Sequence, residues 1–385
     1  MRPTHLRHLT YAFTFFVTLS TALVTYTNSN ALAHVVPEHR VSLVYTLGFI
    51  VCLLTLIVVP KILKNIGDVR ATIIFIVAQI LTLLGLVFFS DSILFVGFFI
   101  VQLVLPALLV LDADVFLEHA SARATTGTTR GTYLTIISGA FLISPLIAGF
   151  ILGNGETYGR MYLLSALVLI PALLILLFSF SHFKDPLYRP VRIGVALRHI
   201  ARVRELRNIC ISNLLLRGFY SVMVIFMPLY LHTELHMPWS TIGILFTVML
   251  IPFVLFEYPL GRLADRWFGE KEILAIGFFL MALATTLIPF IQASALVVWG
   301  IVLFLTRTGA SAIESMNDSY FFKHVDATDT ETIALYRMLD PLAYIIAPLL
   351  ATIVLSYFDM RFIFLALGIC VAIGIPVALR LKDTR

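Results

Sequence analysis

Charge is scarce in this chain. Asp, Glu, Lys and Arg make up 13% of its 385 residues and apolar residues 60%, against roughly 25% and 45–50% in a soluble domain. A composition so poor in charge argues against a water-soluble globule. Cysteine is scarcer still. Cys52, Cys210 and Cys370 are widely separated in apolar stretches and lack metal-ligand spacing, which points away from a disulfide framework or a Cys-based metal site. They read as small hydrophobes. The phosphate-cradling loop Gly-x-x-x-x-Gly-Lys-Ser/Thr does not occur, which argues against direct drive by ATP. Clustered His and Asp, as a membrane enzyme needs, are also lacking. His119 and His324 come nearest, and both read as solvated loop positions. Neither an enzyme nor a bound cofactor is expected.

What the chain has is long apolar runs. About 20 such residues cross a bilayer as a helix. Runs of this kind recur at roughly 9–28, 41–60, 71–90, 93–113, 131–152, 160–181, 208–232, 240–260, 273–292, 294–316, 333–356 and 361–380. Lipid leaves no partner for open backbone groups, so an all-α protein with twelve transmembrane helices is the expected fold class. Basic residues set the orientation. With the N-terminus in the cytoplasm, the inner segments carry most Lys and Arg, including Lys61, Lys64, Arg262, Arg266, Lys271 and the 184–207 cluster, while the outer side receives Arg40, Arg160 and Arg361. Both termini are therefore expected inside. The net charge of +5 is topological and implies contact with the lipid bilayer rather than nucleic acid.

The longest polar stretch between runs, Ser181–Asn208, divides the chain into residues 1–181, a cytoplasmic linker 182–207 and residues 208–385. Val191–Leu206 within it could form a basic amphipathic helix. The two halves resemble each other. Asp114-Val-Phe-Leu-Glu-His119 after the fourth run corresponds to Ser319-Tyr-Phe-Phe-Lys-His324 after the tenth, and Tyr133 to Pro145 has the spacing of Tyr336 to Pro348. Two parallel six-helix repeats are a transporter plan, with the substrate site near mid-membrane.

After the eighth run comes Gly261-Arg-Leu-Ala-Asp265-Arg266-Trp-Phe-Gly269-Glu-Lys271. This resembles the inner-loop signature Gly-x-Leu-Ala-Asp-Arg-x-Gly-Arg-Lys of the major facilitator superfamily, with one extra residue before the second Gly. Its glycines suit a tight turn, and the resemblance implies a latch built on Gly261, Asp265, Arg266 and Gly269. The first-half copy, Lys61-Ile-Leu-Lys-Asn65-Ile-Gly67-Asp68, is degraded. Gly139…Pro145…Gly149 resembles the Gly-Pro-x-x-Gly-Gly element of family antiporters, with Ser144 and Ala148 in place of glycines; the competing reading is a bent packing helix. Arg307-Thr-Gly309-Ala-Ser-Ala312 resembles an Arg-then-small-residue element that the family places in span four, where Gln102 stands here. The resemblance implies two pseudo-symmetric six-helix bundles rocking about a central site, acting as a monomer on a small-molecule substrate.

Ionisable groups inside spans are costly, and are functional or paired. Arg217, Arg307, Glu314, Glu257, Arg337 and Asp340 are the candidates, with Asp112 and Asp114 near the end of span four. Either Arg217 or Arg307 meets an anionic substrate group while Glu314, Glu257 or Asp340 takes up a proton, or the set is an ion-pair network at a gate, with Arg337 and Asp340 close enough to pair along one helix. Thr14, Thr18, Thr21 and Thr25 continue a stripe begun by Thr10; they either line a cavity or bond their own backbone. Tyr220 adds an aromatic wall. Proton-coupled efflux is the first expectation, with uptake or facilitated diffusion of a sugar or organic anion as the alternative. The compact termini and loops suggest a prokaryotic inner membrane.

Overall fold

The structure, a computed structural model, describes residues 3–120, 126–180, 193–266, 269–292, 295–325 and 330–382. Among the described residues it is entirely helical. In chain order the helices are α1 (Pro3–Thr25), α2 (Asn28–Ala33), α3 (Glu38–Ile66), α4 (Asp68–Phe88), α5 (Leu94–Ala120), α6 (Thr126–Leu152), α7 (Gly159–Ser179), α8 (Ile193–Arg202), α9 (Arg204–Leu229), α10 (Trp239–Arg266), α11 (Glu270–Leu287), α12 (Leu296–His324), α13 (Thr330–Leu355), α14 (Arg361–Ala372) and α15 (Gly374–Leu379). Among the described residues, twelve segments are long and apolar enough to cross a bilayer, making this an integral, multi-pass membrane protein.

Local sequence explains the departures from twelve plain rods. The first span stops at Thr25, where Tyr-Thr-Asn-Ser-Asn offers side chains that compete for backbone hydrogen bonds. Buried α2 follows at once. The seventh span runs through Pro228 into a π turn over Tyr230–Glu234. The twelfth is broken between α14 and α15, beside Gly374 and Pro376, whose missing N–H removes a helical bond. The basic helix expected after residue 190 is α8, separated from α9 by extended Val203. Residues 182–192 of the expected linker lie outside the described residues.

The chain forms two compact units. The first holds Met1–Pro190 and Pro238–Gly243; the second holds Val191–Met237 and Ile244–Arg385. Each packs its spans in a recurring pattern. In the first unit α1 packs on α5, α6 and α7, and α4 on α5 and α7. In the second, α9 packs on α12, α13, α14 and α15, and α11 on α12, α14 and α15. Span by span these are equivalent pairings, so the sequence repeat is also a packing repeat.

Small residues set the closest approaches. A Cβ on Gly309 of α12 would stand 2.5 Å from the Gly277 carbonyl oxygen of α11. Close backbone approach is how membrane helices gain packing energy without a hydrophobic driving force. In the first unit, Ser20 of α1 and Ser165 of α7 share a 2.8 Å hydrogen bond. Large apolar side chains such as Leu54, Leu81, Phe150, Phe178 and Val297 stay exposed, as a lipid-facing surface requires.

Candidate substrate site

The polar centre of the second unit lies on three spans, α9, α12 and α13. Asn213, Arg217 and Tyr220 are four and three residues apart and so share one face of α9. Arg217 Nη2 lies 3.0 Å from Glu314 Oε1 of α12, and its Nε 3.7 Å from Asp340 Oδ1 of α13. Tyr220 donates its hydroxyl to Glu314 Oε2 at 2.7 Å. One guanidinium thus holds two carboxylates from two other helices, and a phenol holds the nearer one in place. Asp340 finds its cation across the helix interface in Arg217, where sequence spacing suggested Arg337 one turn away. A guanidinium reaching over from α9 presents its fork to both acids.

Arg307 is different. It is 2% exposed, and its Nε and Nη2 meet no acceptor. Its guanidinium carbon sits 5.2 Å from the Phe219 ring centre and 5.0 Å from that of Tyr220. Two aromatic faces therefore hold the cation while its donors go unused. A buried donor left unpaired costs about 1–3 kcal/mol, and an oxygen acceptor placed here would remove that cost. Close packing of Gly309 against α11 fixes the α12 backbone two residues away. On α9, Asn213 Oδ1 and Ser221 Oγ are also unmet polar atoms. Phe219 and Asp318 were not singled out from sequence; Asp318 Oδ1 accepts from the Tyr336 hydroxyl at 3.2 Å.

The first unit has a smaller polar centre. Gln102, at the repeat position of Arg307, accepts from Asn28 Nδ2 at 3.4 Å, and the Tyr162 hydroxyl donates to Asn28 Oδ1 at 3.1 Å. The threonine stripe divides. Thr21 and Thr25 donate to carbonyls four residues back in their own helix, as does Thr10. Buried Thr14 has an unmet hydroxyl, and Thr18 is also buried. Thr21 and Thr25 are half-buried. Tyr162 and Asn30 were not found from sequence, because an isolated Asn or Tyr carries no periodic signal.

The remaining candidates are scattered. Gly149 approaches the Trp239 carbonyl and Gly243 within the first unit, whereas a Cβ on Gly139 would meet nothing within 4 Å. Pro145 lies inside α6. Close approach therefore belongs to Gly149 alone. Gly261, Asp265 and Arg266 fall in the last turns of α10 and Glu257 in its body; the side chains of Glu257, Asp265 and Arg266 lie outside the described residues. Gly269 caps α11 with φ −72° and ψ 167°, extended backbone open to any residue, so no glycine turn is needed there. Sequence reasoning passed over Glu270 beside it. Glu270 is 2% exposed, forms an ion pair with Lys323 and accepts from the Ser319 hydroxyl at 3.2 Å. It ties the start of α11 to the end of α12. An acid in a helix's first turn was the available signal. An apolar groove of about 360 Å³ bordered by Leu287, Phe290 and Val302 shares no residue with the polar centre.

Comparison with known proteins agrees with this architecture. Residues 209–385 match the family model described as Major Facilitator Superfamily. No curated protein matches the chain by sequence. Among solved structures, a point mutant of the nucleoside transporter NupG superposes with a TM-score of 0.76 at 13% identity, covering 96% of this chain and 99% of that one. NupG without that substitution gives 0.75 at 12% identity, covering 97% and 100%. The second half of the chain thus matches the Major Facilitator Superfamily model, and the chain as a whole takes the fold of these two solved transporter structures.

Proposed function

We propose that the protein is a secondary transporter that moves a small polar molecule across the membrane by alternating access of its two units, with no bond made or broken. The observation that carries this is Arg307, buried and with two donors unmet between two aromatic rings. A substrate bearing a carboxylate, phosphate or carbonyl oxygen would satisfy those donors. Arg217 is already occupied by Glu314 and Asp340, so it holds the carboxylates, and Arg307 takes the substrate.

This favours a polar metabolite over a purely apolar efflux cargo. The antiporter reading leaned on the element from Gly139 to Gly149, of which only Gly149 makes a close contact. A nucleoside fits the same chemistry: a flat base suits Phe219 and Tyr220, and its ring acceptors suit Arg307. The nucleoside transporters of like fold recommend one as a trial substrate.

The test is flux into proteoliposomes for a panel of a carboxylate, a sugar phosphate, a free sugar and a nucleoside, with and without an imposed pH gradient. The wild type should carry at least one polar member, and Arg307→Ala should carry it at least tenfold more slowly. Equal flux in both proteins would refute the role of Arg307. Flux of none of the four, with only apolar cations moved, would refute the polar-substrate reading.

A further inference from the structure

The first unit holds a buried acid that the substrate site does not use. Asp112, on α5, is fully buried. Thr72 Oγ1, on α4, lies 2.7 Å from Asp112 Oδ2 and 2.7 Å from the backbone carbonyl oxygen of Asp68. Asp112 Oδ1 has no partner.

These contacts allow a count of protons. A threonine hydroxyl has one hydrogen to donate and lone pairs to accept with. If Asp112 were ionised, its oxygen and the Asp68 carbonyl would both be acceptors competing for that single hydrogen. One of the two 2.7 Å contacts would then lack a hydrogen of its own. If Asp112 carries a proton, both contacts are satisfied: the Asp112 O–H donates to Thr72 Oγ1, and the Thr72 O–H donates to the Asp68 carbonyl.

The surroundings agree. The helices packed on α5 are α1, α3 and α4. Their charged groups at this end are Arg7 and His8 on α1, Lys61 and Lys64 on α3, and Asp68 and Arg70 on α4, with Asp114 on α5 itself. Lys61, Lys64, Arg70 and His8 are exposed and Arg7 is half-buried. Among the described residues, buried Asp68, of its own sign, bears on Asp112. An isolated carboxylate in such a place is expensive and neutralises instead. The sequence repeat adds a separate argument. Aligning Asp114–His119 with Ser319–His324 sets Asp112 opposite Asn317, a buried neutral amide of the same shape. The second half thus carries permanently what Asp112 carries only while protonated.

We propose that Asp112 is a proton-binding site, protonated in this conformation and exchanging its proton with water at the α3–α4 end of the first unit. As a seat for a coupling proton it rests on the transport reading above; as a proton site it does not, and it can be tested without any substrate. Infrared spectra of the purified full chain in lipid nanodiscs would be compared between wild type and Asp112→Asn, in H2O and after transfer to D2O. Asn317 shows that the fold accepts an amide at the equivalent place, and a monodisperse elution profile would confirm that the variant folds. We expect a protonated-carboxyl C=O band that disappears in Asp112→Asn, shifts to lower frequency in D2O, and moves to higher frequency in Thr72→Val, where its partner is gone. A band region unchanged by Asp112→Asn would overturn the proton site. A band lost in Asp112→Asn but unmoved by prolonged D2O would show a locked proton and overturn the exchange.

Discussion

Replacing Arg217 separates the roles of the two carboxylates it holds. Its Nη2 is 3.0 Å from Glu314, and both side chains are about a quarter exposed, at 23% and 26%. Its Nε is 3.7 Å from Asp340, whose side chain is 52% exposed. A hydrogen bond to a charged group contributes about 1.5–3 kcal/mol. A longer contact to a half-exposed carboxylate belongs with surface pairs, at about 0–1 kcal/mol. A double-mutant cycle of Arg217→Gln with Glu314→Gln should therefore give a coupling of about 2 kcal/mol, and the cycle with Asp340→Asn less than about 0.5 kcal/mol. Glutamine at position 314 keeps an acceptor for Tyr220, so the cycle isolates the ion pair. Thermal unfolding of detergent-purified protein, followed by tryptophan fluorescence at one scan rate, is the assay. Couplings of equal size, or a larger one for Asp340, would refute the assignment of Glu314 as the principal partner.

Other predictions follow from single contacts. Arg307→Ala should change stability little, because the lost cation–π contacts of about 0.5–2 kcal/mol are offset by removing two unmet donors; a fall in Tm of more than about 8 °C would contradict this. Gly309→Val should destabilise by at least about 1–3 kcal/mol, since its side chain would meet the Gly277 carbonyl, while Gly139→Ala, facing open space, should leave Tm unchanged. Lys323→Ala should lower Tm by stranding buried Glu270, and adding Glu270→Gln should restore most of the loss; no restoration would show that the pair's charge is not what matters.

Much of this architecture was legible in the sequence, because a bilayer imposes one rule on every span. The apolar runs located the twelve spans, and the repeat of Asp114–His119 in Ser319–His324 anticipated equivalent packing in the two units. Exceptions arose where a single residue overruled the pattern, as at Pro376 in the last span and the polar cluster after Thr25. The site was legible only in part. Arg217, Arg307, Glu314 and Asp340 stood out because charge inside a span is rare, and Tyr220 stood out as an aromatic beside them. Their partners were not, since Arg217 reaches Asp340 across a helix interface that spacing along one helix cannot show. The threonine stripe did not reveal its hydrogen bonds: Thr21 and Thr25 turn to their own backbone while Thr14 does not. Asp112 was visible as a charge, and its proton only as a count of donors around Thr72.

If the polar centre on α9, α12 and α13 receives the substrate, as proposed above, it must open to each side of the membrane in turn. Single-cysteine labelling tests it most directly. With Cys52, Cys210 and Cys370 replaced, Tyr344→Cys, one turn beyond Asp340 on α13, would be exposed to a membrane-impermeant maleimide from one face and then from the other. The account predicts labelling from both faces, slowed by a transported substrate. Labelling from one face only, unaffected by any substrate that the protein carries, would contradict it.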